Sequence, residues 1–136
     1  MECDKSNCQE FSDAECPGTV GQCIMELASF DLVQFQKEVS AWADHNFPNN
    51  AKHIPLLGAL EELGELAHAH IKLEQNIRGT PSDHTMKKKD ALGDILIYLA
   101  HYCHNHQLSL GECAHIAWRE VKDRDWVKFP FNGKNR

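Results

Sequence analysis

Leu56-Leu57-Gly58-Ala59-Leu60-Glu61-Glu62-Leu63-Gly64-Glu65-Leu66-Ala67 is an apolar stretch that carries three acids. A second stretch, Asp90-Ala91-Leu92-Gly93-Asp94-Ile95-Leu96-Ile97-Tyr98-Leu99-Ala100, carries two more. Asp94 has no charged or polar neighbour at i±1, i±2 or i±3, so a helix here offers it no generous polar face. A lone buried carboxylate costs on the order of several kcal/mol unless it is paired or coordinates a metal. Taken alone, the first stretch fits a narrow solvated stripe of Glu61, Glu62 and Glu65 equally well. Two such stretches in one short chain point instead to a shared cation.

The spacing around these stretches predicts four helices. Ser29 or Asp31 can cap a first helix in which Leu32, Phe35, Val39 and Trp42 recur at helical spacing, ending near Asn46. Phe47-Pro48-Asn49-Asn50 is a turn-rich connection. Pro55 suits the first turn of a second helix, expected to run to about Arg78 and to stop at Gly79-Thr80-Pro81. A third starts around Ser82 or Asp83 and reaches about His106. Ser109-Leu110-Gly111-Glu112 matches a capping box and opens a fourth, with Leu110, Cys113, Ala117 and Val121 on one face. The tail Phe129-Pro130-Phe131-Asn132-Gly133 is expected to wrap over a neighbouring surface. There is no strand pattern and no internal repeat. The expected fold is all-α, a four-helix bundle. Its second and third helices are apolar on more faces than a monomer can hide, which predicts a homodimer or dimer of dimers with a shared core.

Length and composition set the frame. At 136 residues, 42% hydrophobic and 25% charged, the chain has room for one globular domain. Residues 1–28 hold six acids and one base, and the remainder fourteen acids and thirteen bases, within a formal net charge of −6. Residues 1–25 read as a flexible acidic extension and 26–136 as the helical domain. The nearly neutral domain has no basic surplus to attract a nucleic-acid polymer. No signal-peptide pattern or membrane-length apolar run is present, so the cytoplasm is the expected address and no membrane partner is expected. Cys3, Cys8, Cys16 and Cys23 lack paired zinc-site spacing and read as free thiols, while Cys103 and Cys113 read as small core residues. Most of the nine histidines read as polar surface or edge residues, and Lys87-Lys88-Lys89 as a solvated helix start.

On helices, Glu61 and Glu65 are i, i+4 neighbours, Glu62 and Glu65 i, i+3, and Asp90 and Asp94 i, i+4. Packed side by side, the two helices would converge four or five carboxylates on one spot. All-oxygen ligation of that kind suits Mg²⁺ or Mn²⁺, hard cations that bridge to phosphate oxygens.

Glu61-Glu62-Leu63-Gly64-Glu65 matches the EExxE motif of the MazG-like nucleotide pyrophosphatases, of the all-α NTP pyrophosphatase superfamily. Gly93-Asp94-Ile95-Leu96-Ile97-Tyr98-Leu99 resembles the second half of that family's ExxD motif. The resemblance covers about residues 30–130, including Trp42 and Phe47 ahead of the acids and Arg124-Asp125-Trp126 behind them. It departs at one position: the glutamate three residues before the aspartate falls on Ala91, with Asp90 one position earlier. The resemblance implies Mg²⁺-dependent hydrolysis of a nucleoside triphosphate between the α and β phosphates, in house-cleaning or pool control. It implies Glu62, Glu65 and Asp94 as metal ligands, with Asp90 a candidate for the missing ligand. Glu61 is a further ligand or positions the water, so Glu61 and Glu62 are the catalytic candidates. Trp42 and Phe47 are candidates to stack on the base, Trp42 also fitting a core aromatic. Lys122 and Arg124 could reach phosphates or simply be solvated, and Asn132 could contact nucleotide from a partner subunit. Two other readings stand beside this one: a phosphoribosyl-ATP pyrophosphatase-like enzyme, and a catalytically silent dimeric helical binding module.

Overall fold

The computed structural model describes residues 30–134. The expected extension 1–25 and its four cysteines lie outside the described residues. A compact unit begins at Leu32, and everything below belongs to it. It contains four helices: α1 (Leu32–Asn46), α2 (Ile54–Glu74), α3 (Pro81–Asn105) and α4 (Leu110–Val121). No strand occurs among the described residues.

Local chemistry explains where α2 starts and stops and where α3 and α4 start. Pro55 stands in the first turn of α2, where its missing N–H costs nothing. That helix ends four residues before the expected Arg78, because the backbone turns left-handed at Asn76 (φ 53°), Arg78 (φ 61°) and Gly79 (φ 143°). Only the glycine adopts such a conformation without cost. The N-cap of α3 is Thr80 rather than Ser82 or Asp83. Its hydroxyl accepts from the Asp83 backbone N–H at 3.2 Å, and the Asp83 carboxylate accepts from the Thr80 N–H at 2.7 Å, a complete capping box. The Thr80 hydroxyl also donates to the Asp83 carboxylate at 2.7 Å, and this bond, with that from the Thr80 N–H, holds the Asp83 carboxyl below its ordinary range. Ser109 caps α4 as expected, accepting from the Glu112 N–H at 3.2 Å. The tail closes on itself: Asp125 N–H donates to the Gly133 carbonyl at 2.9 Å, and Gly133 N–H to that of Phe129 at 2.8 Å.

The most extensive pairing is α2 against α3, followed by α1 against α3; α4 touches α1 and α3 more lightly. Alanines make this packing close. Ala59 and Ala69 of α2, Ala91 and Ala100 of α3 and Ala43 of α1 are all buried. At Gly58 the approach is closer still, since a methyl there would overlap the Tyr98 ring. Polar clips fix α1 in place. The Gln36 amide donates to the Leu108 carbonyl at 2.8 Å and accepts from the Leu110 N–H at 2.7 Å. His104 of α3 pairs with the Asp44 carboxylate of α1 at 3.0 and 3.1 Å.

The core so built is small, and large apolar side chains lie outside it. Leu56, Leu57, Leu60 and Leu63 of α2 and Leu92 of α3 are each about half exposed. The expected apolar stripe of α4 is likewise uncovered, as no residue of that helix is buried. Cys113 is therefore exposed, which corrects its reading as a core residue; Cys103 is buried, and burial pushes its thiol up. No helix among the described residues is long and apolar enough to cross a membrane.

Candidate functional site: two clefts astride the α2–α3 seam

The α2–α3 seam carries all five sequence-predicted acids, and the helix rotation divides them. Glu62 and Asp94 face one cleft, of about 440 Å³. Glu61, Glu65 and Asp90 face another, of about 640 Å³, together with His68 and Lys87. Glu62 and Asp94 are half-buried, whereas Glu61, Glu65 and Asp90 are exposed. The sequence pattern led us to expect deeper burial of Asp94. It is relieved because its apolar neighbours, Leu92 among them, are themselves partly open to solvent.

The division does not make two independent sites. The Glu62 carboxyl is held above its ordinary 4.5, first by desolvation and then by Asp94, Glu65, Glu61 and Asp90. All four other acids therefore reach Glu62 electrostatically. Lys87 is the lysine or arginine among the described residues lining the two clefts. Such mutual repulsion is what a hard cation relieves, and the all-oxygen donor set suits Mg²⁺ or Mn²⁺. Among the described residues no three histidine, cysteine or acidic groups already stand close enough to hold a metal ion. Binding would have to draw in side chains that are now apart. Ala91, where the resemblance expects an acid, is 2% exposed and packs in the seam, leaving the exposed Asp90 as its neighbour on the second cleft.

The first cleft has a different wall. Trp42, at the end of α1, and Phe47, in the following turn, meet edge to face with centroids 5.4 Å apart and planes at 76°. Both are half exposed, so Trp42 is a cleft residue and not a core aromatic. Ile54, Pro55 and Ile97 complete the apolar lining. Asn46 ties this corner down, its amide donating to the Trp42 carbonyl at 2.7 Å, and the Asn50 N–H donates to the Phe47 carbonyl at 3.2 Å.

Three further residues of this cleft are not among the sequence-predicted site residues: Asn50, Tyr98 and His101. The last two were legible, since Asp94, Tyr98 and His101 stand at i, i+4 and i+7, one face of α3. Tyr98 lies across Gly58, and burial, with Glu62, Glu61 and Asp94 nearby, pushes its hydroxyl up. His101 and His84 are the two buried exceptions to the expectation of polar surface histidines. Lys122, Arg124 and Asn132 line neither cleft. Lys122 is the C-cap of α4, Arg124 packs its side chain beside Gly133, and the Asn132 side chain accepts from the Lys134 N–H at 3.0 Å.

No family model, no curated protein and no solved structure matches this chain.

Proposed function

We propose that this chain is a Mg²⁺-dependent nucleoside triphosphate pyrophosphohydrolase, with Mn²⁺ as an alternative ion, working in house-cleaning or pool control. The observation that carries the reading is the continuity of the first cleft. An aromatic corner at Trp42 and Phe47 leads along an apolar wall to Glu62 and Asp94, at the edge of a five-carboxylate cluster. A cleft of this volume, mostly apolar with a few polar groups, suits a small molecule. A flat heteroaromatic group fits the aromatic end, and a polyanion bridged by a cation fits the acidic end.

In this reading Trp42 and Phe47 stack on the base and orient the nucleotide. Glu62, Glu65 and Asp94 would hold Mg²⁺, with Asp90 in the place of the acid lost at Ala91. The ion, when bound, neutralises charge on the triphosphate and favours the attacking water. Water oxygen bonds to the α-phosphorus, and the bond from that phosphorus to the bridging oxygen breaks. Its electron pair leaves with pyrophosphate, and Glu61 or Glu62 takes the water's proton. Lys122, Arg124 and Asn132 would contribute only in an assembly that brings a second subunit's α4 and tail to the cleft. The half-exposed leucines of α2 and Leu92 support a homodimer or dimer of dimers as that assembly.

The buried Ala91 methyl favours a second reading, a helical module that binds nucleotide without turnover. One assay separates them: pyrophosphate release from a panel of NTPs, dNTPs and phosphoribosyl-ATP, with Mg²⁺ and with EDTA. Metal-dependent release from one member or a related group supports the hydrolase. Saturable nucleotide binding without release supports the silent module, and absence of both removes the nucleotide reading.

A further inference from the structure

His101 has no part in the hydrolysis just described, yet its setting is that of a ligand contact. It is 7% exposed and lines the first cleft. No described residue hydrogen-bonds to its ring; its neighbour His104 is engaged with Asp44 instead. A buried imidazole without a partner loses the hydrogen bonds it had in water. His84 finds one partner, its Nε2 meeting the Ile77 carbonyl at 3.1 Å, while its Nδ1 is sealed in without one. The His101 nitrogens differ, because neither is sealed off. Burial, and then His104, hold this ring below the ordinary histidine range, against a smaller opposing effect of Asp44. The neutral ring, with one donor and one acceptor, is thereby favoured.

Position narrows the ligand group. His101 lies seven residues along α3 from Asp94, about 10 Å at 1.5 Å per residue. Asp94 and the imidazole thus line one cleft at different heights along α3, and Trp42 and Phe47 line the same cleft. Asn50, whose side chain carries one donor group and one acceptor, lines the same cleft. A group that offers π-faces to the aromatics and an edge of donors and acceptors to His101 and Asn50 is a nucleobase. We infer that His101, with Asn50, reads the hydrogen-bonding edge of the base, so that base selectivity is set at this end of the cleft and not at the acids. The inference rests on the nucleotide reading of this cleft and adds to it a residue that determines specificity.

The test uses nucleosides, which lack the phosphates and need no metal. The four ribonucleosides and four deoxynucleosides are titrated into the full chain, following tryptophan fluorescence, with Trp42→Phe identifying the reporter. The parent is expected to bind one base at least about tenfold more tightly than the others, as a site built to hydrogen-bond its ligand does. His101→Leu is expected to weaken that base about tenfold and to level the preference, while His101→Gln retains part of it. Asn50→Ala, in a surface loop, gives the same direction without touching a buried position. In pyrophosphate release, His101→Gln should raise KM for the preferred nucleotide and leave kcat nearly unchanged. An unaltered nucleoside profile in folded His101→Gln and Asn50→Ala would overturn the inference. So would a parent that releases pyrophosphate but is indifferent to the base, a result that leaves the hydrolase standing. Selective, His101-dependent nucleoside binding without pyrophosphate release would do the reverse, upholding base reading while the hydrolase falls.

Discussion

The two clefts along the α2–α3 seam share one electrostatic cluster and differ in everything else. The first is walled by Trp42, Phe47, Ile54 and Pro55 and receives only Glu62 and Asp94. The second is polar, with Glu61, Glu65, Asp90, His68 and Lys87 at its surface. Consecutive residues on α2, Glu61 and Glu62, are sent to opposite sides by about 100° of helical turn. One side is suited to holding a flat apolar ring, the other to charge in water. On the proposed reading the clefts divide the work: the first holds the ring, and the second supplies most of the acids.

If the clefts act as one site, removing an acid that faces the first cleft should do most damage. Asp94→Asn keeps size and removes a charge, and pyrophosphate release should fall on the order of a hundredfold or more. Asp90→Asn should fall less if Asp90 replaces the acid missing at Ala91, and hardly at all if it is a surface residue; steady-state assays on both variants rank the two clefts directly.

The next largest effect concerns what covers the leucines beside the acids. A charge at Leu60 or Leu63, both more than half exposed, should leave the isolated fold intact but dissociate an oligomer that buries them. Sedimentation of Leu60→Glu and parent reads this, and a parent sedimenting at 15.5 kDa would dispose of the shared core.

Two glycines sharpen the contrast at lower cost. Gly58→Ala should destabilise by about 1–3 kcal/mol, as overpacking does, because the new methyl overlaps Tyr98. Gly64→Ala meets nothing within 4 Å and should stabilise α2 by up to about 1 kcal/mol. Chemical denaturation curves measure both, and a destabilising Gly64→Ala would mean that another surface packs there.

The smallest effect is a pH signature. Because the folded Glu62 carboxyl sits above its ordinary 4.5, its ionised form is disfavoured in the metal-free fold. That cost is present in full above the folded value, fades as pH falls through it, and is gone below the ordinary 4.5. Glu62→Gln should therefore raise the metal-free Tm slightly at pH 7, and the gain should vanish on acidification. A lower Tm at pH 7 would contradict mutual repulsion among the acids.

Much of this was open to sequence reading, for definable reasons. Helical spacing, the Pro55 start and the Ser109 cap are local signals, and the structure follows them. The left-handed turn at Asn76 and Arg78 that ends α2 was not, since nothing local forbids four more helical residues. The partition of acids between clefts depends on how α2 is rotated against α3. That rotation is set by contacts between distant residues, such as Tyr98 on Gly58 and the buried alanines. His101 carried a signal in its spacing from Asp94, but its burial, and the lack of a hydrogen-bond partner among the described residues, exist only in the packed molecule.

The central claim, that acids from α2 and α3 act together on one cation, is tested most directly by Mg²⁺-dependent melting of the parent and Asp94→Asn. Ligand binding to the folded state raises Tm by mass action. Mg²⁺ should raise the Tm of the parent and leave that of Asp94→Asn unchanged. Equal shifts in both proteins, or none in either, would contradict it.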